Sequence, residues 1–323
     1  MEKVILDFYR DKKVAIPGGA GFLGTRIVDL LSAAGAKTFI PREKEGFDFR
    51  DEKICYDYMR GIQPEIVINC AAFQGGIGFH KGKEAELFLS NAKMGLFLMA
   101  AAQASGAKKF INIVAGCSYP GYVEKDELKE EDYWNGEVHD SIFSYGVSRK
   151  MSVVFGKALK KQFDFNSIHL IYANMYGPGE HFNPNQSKAL AGLIKKFYEA
   201  KKNNLPSVEV WGTGRPVRDW LYVDDGAEGA LVAGARYDEI DPVNIASGIG
   251  ISVADLAVLI KRIIDYKGDI TFNTSRPDGA LKKTFGVGKM KEKLGWTPKT
   301  SIEEGIQKTI DWFDKNYEYA ILH

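Results

Sequence analysis

A chain of 323 residues that is 45% apolar and 26% charged has the composition of a soluble globular protein, not of a disordered or fibrous one. Lys plus Arg number 43 against 42 Asp plus Glu, a net charge of +1, so wholesale binding to nucleic acid or an anionic membrane is not expected, although a local basic pocket is compatible. Cys55, Cys70 and Cys117 form no CxxC pair or disulfide framework, the opening MEKVILDFYRDKK lacks a signal-peptide core, and the longest apolar stretch, Gly95 to Ala102, is far short of the roughly 20 residues of a membrane span. A cytoplasmic protein is expected.

Val14-Ala15-Ile16 reads as a short buried strand ending in Pro17-Gly18-Gly19. Leu23, Ile27, Leu30 and Ala34 then recur at helical spacing until Gly35. Strands follow at Thr38–Ile40 and, after another helix, at Ile66–Asn69. Lys83 to Ser105 predicts a long helix, Phe110–Val114 a strand, Ile142–Phe163 a helix and Ser167–Tyr172 a strand. This alternation predicts an α/β fold, a Rossmann-type doubly wound parallel sheet.

Asn174 to Asn185, rich in Gly, Pro and Asn, predicts a loop at the sheet's C-terminal edge, where such folds bind ligands. A helix from Ser187 to about Lys202, strands at Ser207–Trp211 and Trp220–Val223, and a helix Gly226–Ala235 capped by Asp224 or Asp225 come next. Val243–Ile245 is placed as a strand returning to the first sheet. The expected division is a dinucleotide-binding domain over 1–176 with a return at 208–248, and a smaller mixed α/β substrate domain over 177–207 and 249–323.

Gly18-Gly19-Ala20-Gly21-Phe22-Leu23-Gly24 follows the first strand and opens the first helix. Gly18, Gly21 and Gly24 permit a tight turn, close approach of pyrophosphate and helix-on-strand packing, and the helix N-terminus offers unpaired N–H groups to the diphosphate. In that setting the glycines point to a bound dinucleotide and away from a mere Gly-rich turn. The second strand ends Ile40-Pro41-Arg42-Glu43-Lys44; Arg42 favours NADP and Glu43 keeps NAD open, while a solvated charge run is the plain alternative. In Ser144-Tyr145-Gly146-Val147-Ser148-Arg149-Lys150, Tyr145 and Arg149 lie one helical turn apart. A phenol beside a cation can exchange a proton at a carbinol or carbonyl, whereas a packed core tyrosine would need no such neighbour.

GGAGFLG, CSYP, SYGVSRK and NMYGPGEHFNP, followed by WGTGRPVRDWLYVDD and LGWTPKTSIEEGIQKTIDWF, are arranged over nearly the whole chain as in the extended short-chain dehydrogenases that act on nucleotide sugars. Gln74-Gly75-Gly76-Ile77, Cys117 with Tyr119-Pro120, and Asn174-Met175-Tyr176-Gly177-Pro178 are similar to the GDP-L-fucose synthase branch of that family, which epimerises and then reduces GDP-4-keto-6-deoxymannose with NADPH. The resemblance implies hydride chemistry on a GDP-linked hexose, with Tyr145 exchanging the proton, Arg149 supporting it and binding the nicotinamide ribose, and Cys117 and Lys188 at the epimerising positions. It implies cofactor contacts from Gly18, Gly21, Phe22, Leu23, Gly24, Arg42, Ala71 and Ala72, and sugar-nucleotide contacts from Asn174, Lys188, Lys196, Trp211, Arg218 and Asp278, with Lys283 closing the pocket. It also implies a homodimer through the helix of Lys83–Ser105 and the helix carrying Tyr145.

Three positions depart from the family pattern. Arg149 stands where the family has Lys; it stays charged but cannot surrender a proton, and its planar fork aims its donors differently. Ala115 stands where a Ser or Thr hydroxyl is usual, a loss that costs up to about a hundredfold or more, and Ser118 should point elsewhere. Lys188 stands in the place of a His, with His181 seven residues earlier as the possible substitute. Two readings fit: a sister nucleotide-sugar epimerase or dehydrogenase of different regiochemistry, or a weakly active relative that binds sugar nucleotide. His80, His139 and His169 have no ligand-like spacing and no metal is expected; Cys55 and Cys70 read as packed core residues.

Overall fold

The computed structural model describes residues 2–123, 125–183, 187–276 and 278–322; residues 184–186 of the expected loop and Pro277 lie outside them. The first half runs α1 (Lys3–Tyr9), β1 (Lys13–Ala15), α2 (Phe22–Ala33), β2 (Lys37–Phe39), α3 (Glu52–Ile62), β3 (Ile66–Asn69), α4 (Ile77–His80), α5 (Glu84–Ala104), β4 (Lys109–Ala115), α6 (Phe143–Phe163) and β5 (Ser167–Tyr172). The second half runs β6 (Asn174–Tyr176), α7 (Ala189–Lys202), β7 (Ser207–Trp211), β8 (Val217–Tyr222), α8 (Val223–Arg236), β9 (Val243–Ile245), β10 (Gly250–Ser252), α9 (Val253–Ile264), β11 (Asp269–Asn273), β12 (Lys282–Lys283), α10 (Gly288–Leu294), α11 (Ile302–Lys315) and α12 (Tyr317–Leu322).

Six strands form one wholly parallel sheet in the order β2-β1-β3-β4-β5-β9. β3 and β5 are buried at every position, as their unbroken apolar runs require of strands covered on both faces. Ile16, Ile27, Leu31, Ile68, Ile113 and Leu231 share one core cluster with α2 and α8, and Val67, Leu98, Met99 and Phe110 share another with α3 and α5. The fold class and the return of 243–245 to this sheet are as expected.

One element was not expected, and three expected local features differ. The opening segment is a helix, because Ile5 and Tyr9 share one buried face and the Tyr9 hydroxyl donates to the Leu231 carbonyl at 3.2 Å. Residues 174–176 are a strand, paired in parallel with Trp220–Tyr222, so the expected loop starts later. α8 begins at Val223 with Tyr222 at its cap; Asp224 and Asp225 sit inside the first turn, where carboxylates suit the helix dipole. Lys188 is the cap of α7, in extended conformation, and not a first-turn residue.

The second core gathers Tyr176, Phe182, Ile194, Phe197, Val208, Val210, Trp220, Leu256, Ile260, Ile306 and Phe313. β7 pairs with β11, and β8 with β6, β10 and β12, so within 208–248 it is α8 and β9 that rejoin the first layer. The buried Asp219 ties the seam: it accepts from Ser247 N, Ser247 Oγ (2.6 Å), Gly248 N and Phe285 N.

Candidate active site

The glycine loop leaves β1 and turns at Gly18, whose φ of +79° is left-handed; a Cβ there would lie 2.6 Å from the Ala71 nitrogen. A Cβ on Gly24 would stand 2.2 Å from the Gly18 carbonyl oxygen, so α2 reaches the loop only because that side chain is absent. A cavity of about 630 Å³ opens beside this turn, lined by Gly18, Gly21, Arg42, Lys44, Ala71 and Ala72 among others. Phe22 starts α2, and Leu23 is buried in the core beneath it. The Glu43 carboxylate is held by Arg50 at 2.8 Å, and Arg42 lies 3.9 Å from Glu45. This rim therefore presents cations to a ligand more readily than a free carboxylate.

Tyr145 sits in the first turn of α6 with 6% of its surface exposed. Burial pushes its phenol up to about 12; the Arg149 cation pulls it back and Cys117 pushes it further. Arg149 is itself buried, and its guanidinium donates to the backbone carbonyls of Ala71 (3.3 Å) and Ile113. Its fork thus braces the ends of two strands while its charge acts on the phenol. Lys150 points away, over the rings of Tyr133 (4.9 Å) and Trp134 (5.3 Å).

At Ala115 the chain leaves β4 for a tight turn over Gly116–Ser118. Ser118 Oγ donates to the Ala115 carbonyl at 2.6 Å and accepts from the Tyr133 hydroxyl at 3.0 Å, so it does not replace the hydroxyl missing from residue 115. The same turn carries Cys117, whose thiol is pushed up by burial and drawn down by Lys283, Arg149 and Lys188.

The other wall is cationic. Lys188 Nζ lies 3.6 Å from Glu180 Oε2 and 5.8 Å from the centre of the Phe22 ring, so it sits between Glu180 and the start of α2. Arg218 on β8 is half-buried, which lowers its basicity, while Asp278 raises it. Trp211, 56% exposed, has Lys196 Nζ and Arg276 Cζ each 4.9 Å from its ring centre. Lys196 also donates to the Glu209 carbonyl at 2.8 Å. Asp278 accepts from Thr213 N at 2.7 Å and Thr213 Oγ1 at 2.8 Å, so it braces the loop after Trp211. Asn174 is exposed at the start of β6, and His181 is exposed beside Glu180, to which its backbone N–H donates.

Tyr145, Arg149, Cys117, Lys188, Lys283 and Arg218 thus form one connected electrostatic group. Sequence reading passed over Glu180, and gave His139 no role beyond lacking ligand-like spacing. His139 stacks on Tyr122 (5.1 Å) and is held below its usual range by burial and by Lys283 and Arg218. No spacing rule brings residue 180 to 188 or 139 to 283, and only the fold does so.

A glycine-looped parallel sheet with a buried tyrosine–cation pair at its C-terminal edge defines a dinucleotide-dependent dehydrogenase of the extended short-chain type. Residues 14–246 match the NAD dependent epimerase/dehydratase family, and the chain belongs to it. GDP-L-fucose synthase of Sinorhizobium fredii is 30% identical over 94% of this chain and 96% of its own length. A crystal structure of a GDP-L-fucose synthetase from Naegleria fowleri bound to NADP superposes with a TM-score of 0.85 at 27% identity, covering 97% of both chains. A GDP-6-OMe-4-keto-L-xylo-heptose reductase from Campylobacter jejuni shares the fold at a TM-score of 0.88 and 24% identity, over 95% of this chain and 98% of its own.

Proposed function

We propose that this protein is an NADP-dependent nucleotide-sugar reductase and epimerase, acting at the keto carbon of a GDP-linked hexose. The observation that carries this reading is the buried Tyr145, one helical turn from the buried Arg149 at the edge of the glycine-looped sheet. A phenol placed there donates to a carbonyl oxygen as it is reduced, and takes the proton back in the reverse oxidation.

The residues present fit a dinucleotide. A Cβ on Gly18 or Gly24 would fill the cradle, Arg42 and Lys44 line the cavity end where an extra ribose phosphate would add negative charge, and Glu43 is already paired. NADPH bound there supplies the hydride. Tyr145 gives its proton to the substrate oxygen, and Arg149 keeps that transfer from being too costly by favouring the phenolate left behind. Lys188, Lys196 and Arg218 hold the diphosphate, Trp211 takes the face of the base, and Asn174 and Asp278 border the same pocket. Cys117, within electrostatic reach of Lys283, Arg149 and Lys188, is the base for inversion.

The reading includes a homodimer in the cytoplasm, joined through α5 and α6; Leu89 and Val154 expose more than half of their surface on those helices. Among the described residues no helix is long and apolar enough to cross a membrane. Mixing the protein with NADPH and GDP-4-keto-6-deoxymannose should consume the reduced nicotinamide. A protein that binds both yet consumes none, with this or any other keto-sugar nucleotide, is a binder. Ala115 is the residue that would explain such inactivity, since it offers the carbonyl no hydroxyl.

A further inference from the structure

Two lysines act on Cys117, and their surroundings are opposite. Lys188 has a carboxylate partner, the buried Glu180, with Nζ 3.6 Å from Oε2. Lys283 is only 8% exposed, and its Nζ is fully buried with no hydrogen-bond acceptor among the described residues. Burying an ammonium without an acceptor is unfavourable, so packing alone does not account for it.

Its position is fixed from two sides. β12 pairs with β8 so that Lys283 lies beside Arg218, on the same face of the sheet. Two residues on, Phe285 closes on the cysteine's own turn: a Cβ on Gly116 would lie 2.5 Å from the Phe285 ring. Phe285 also packs against Tyr119 (5.6 Å between ring centres) and donates its N–H to Asp219. The strand is thereby pinned to the turn, with Lys283 held within electrostatic reach of Cys117.

The geometry points to Lys283, and not Lys188, as the proton-donating partner of Cys117 in inverting a carbon next to the substrate's keto group. This rests on the reading of the protein as a keto-sugar-nucleotide enzyme. The groups around Lys283 favour the step: burial lowers its basicity, Arg218 and Lys150 lower it further, and Cys117 alone raises it. His139 lies on the same side, near Lys283 and Arg218. In the reacting form the pair is a thiolate and an ammonium. Cys117 Sγ takes the carbon-bound proton, so a C–H bond breaks, an S–H bond forms and the electron pair moves into the enolate. Lys283 then returns a proton to the opposite face of that carbon: N–H breaks, C–H forms and the ketone is restored. Passage of the thiol proton from Sγ to the neutral amine resets the pair, with no external reactant.

The test uses the full chain with GDP-4-keto-6-deoxymannose in heavy water, first without reduced cofactor and then with it. The wild type should take up deuterium beside the keto group and, once NADPH is added, yield the inverted product. Lys283→Arg keeps the charge but has no proton to release. Its inverted product should fall at least about tenfold relative to the uninverted one, with KM near wild type and deuterium still entering from the Cys117 face. Lys188→Met should raise KM without changing that product ratio. Normal inversion by Lys283→Arg overturns the assignment, as does a Lys188→Met variant that alone loses inversion. A wild type that reduces the substrate but takes up no deuterium also overturns it, and leaves the reductase reading standing. A wild type that exchanges deuterium without consuming NADPH would instead strike the reductase reading.

Discussion

The two walls of the site are built on opposite principles. The cofactor side is shaped by absence: the Cβ atoms missing at Gly18 and Gly24 let a backbone carbonyl, a strand end and a helix meet within van der Waals contact. The facing side is shaped by charge: Lys188, Lys196, Arg218 and Lys283 come from three separate elements and the loop before α7, with Glu180, Glu209 and Asp278 among the acidic groups beside them. Steric fit of backbone tolerates almost no substitution, whereas an electrostatic wall degrades in steps and responds to salt. A chain of net charge +1 can therefore still hold an anion, because its cations are gathered and not numerous.

Tyr145 stands where the walls meet, and its removal should have the largest effect. Tyr145→Phe should lower kcat by about a thousandfold with binding of both ligands intact, as single-turnover kinetics with fluorescence titration would show. Retained turnover would mean that the junction carries no chemistry. On the steric side, Gly24→Ala forces a Cβ against the Gly18 carbonyl and should weaken NADPH binding by about a hundredfold. Calorimetric titration checks this, and affinity within a few fold of wild type would break the contrast. On the charged side, Arg218→Ala should raise the sugar-nucleotide KM by about thirtyfold and leave cofactor affinity unchanged, and added salt should act in the same direction. Steady-state kinetics at two ionic strengths would show it, and an unchanged KM removes Arg218 from that wall.

The sheet behind both walls gives the smallest effect. His169 is wholly buried, with Asn112 Nδ2 3.1 Å from its Nδ1, and burial holds it down to about 3. An unfolded imidazole titrates near 6.5, so below that pH the unfolded chain takes up a proton that the folded one refuses, and stability present at neutral pH is lost as pH falls. Lowering the pH to about 5 should cost on the order of 2 kcal/mol in urea unfolding, and less in His169→Gln. An equal loss in both would place the acid sensitivity elsewhere.

Much of the sheet was legible because its signal is local. Ile66–Asn69 and Ser167–Tyr172 are unbroken apolar runs of strand length, and the glycine loop sits directly between a strand and a helix. The opening helix was missed since its charges mask the Ile5–Tyr9 spacing, and β12 was missed since two residues show no alternation. Within the site, Tyr145 and Arg149 are neighbours by helix geometry and could be read together. The proximity of Lys283 to Cys117, or of Glu180 to Lys188, is a product of strand order and loop return, and sequence spacing does not contain it.

β8 carries Arg218 in one sheet and passes into α8 of the other layer at Tyr222, with no intervening loop. A strand that becomes a helix across the seam behaves as a strut, and Asp219 fastens two further crossings to it. A hinge at this seam would have to bend that strut and break these bonds, whereas adjustments at the rim would leave them intact.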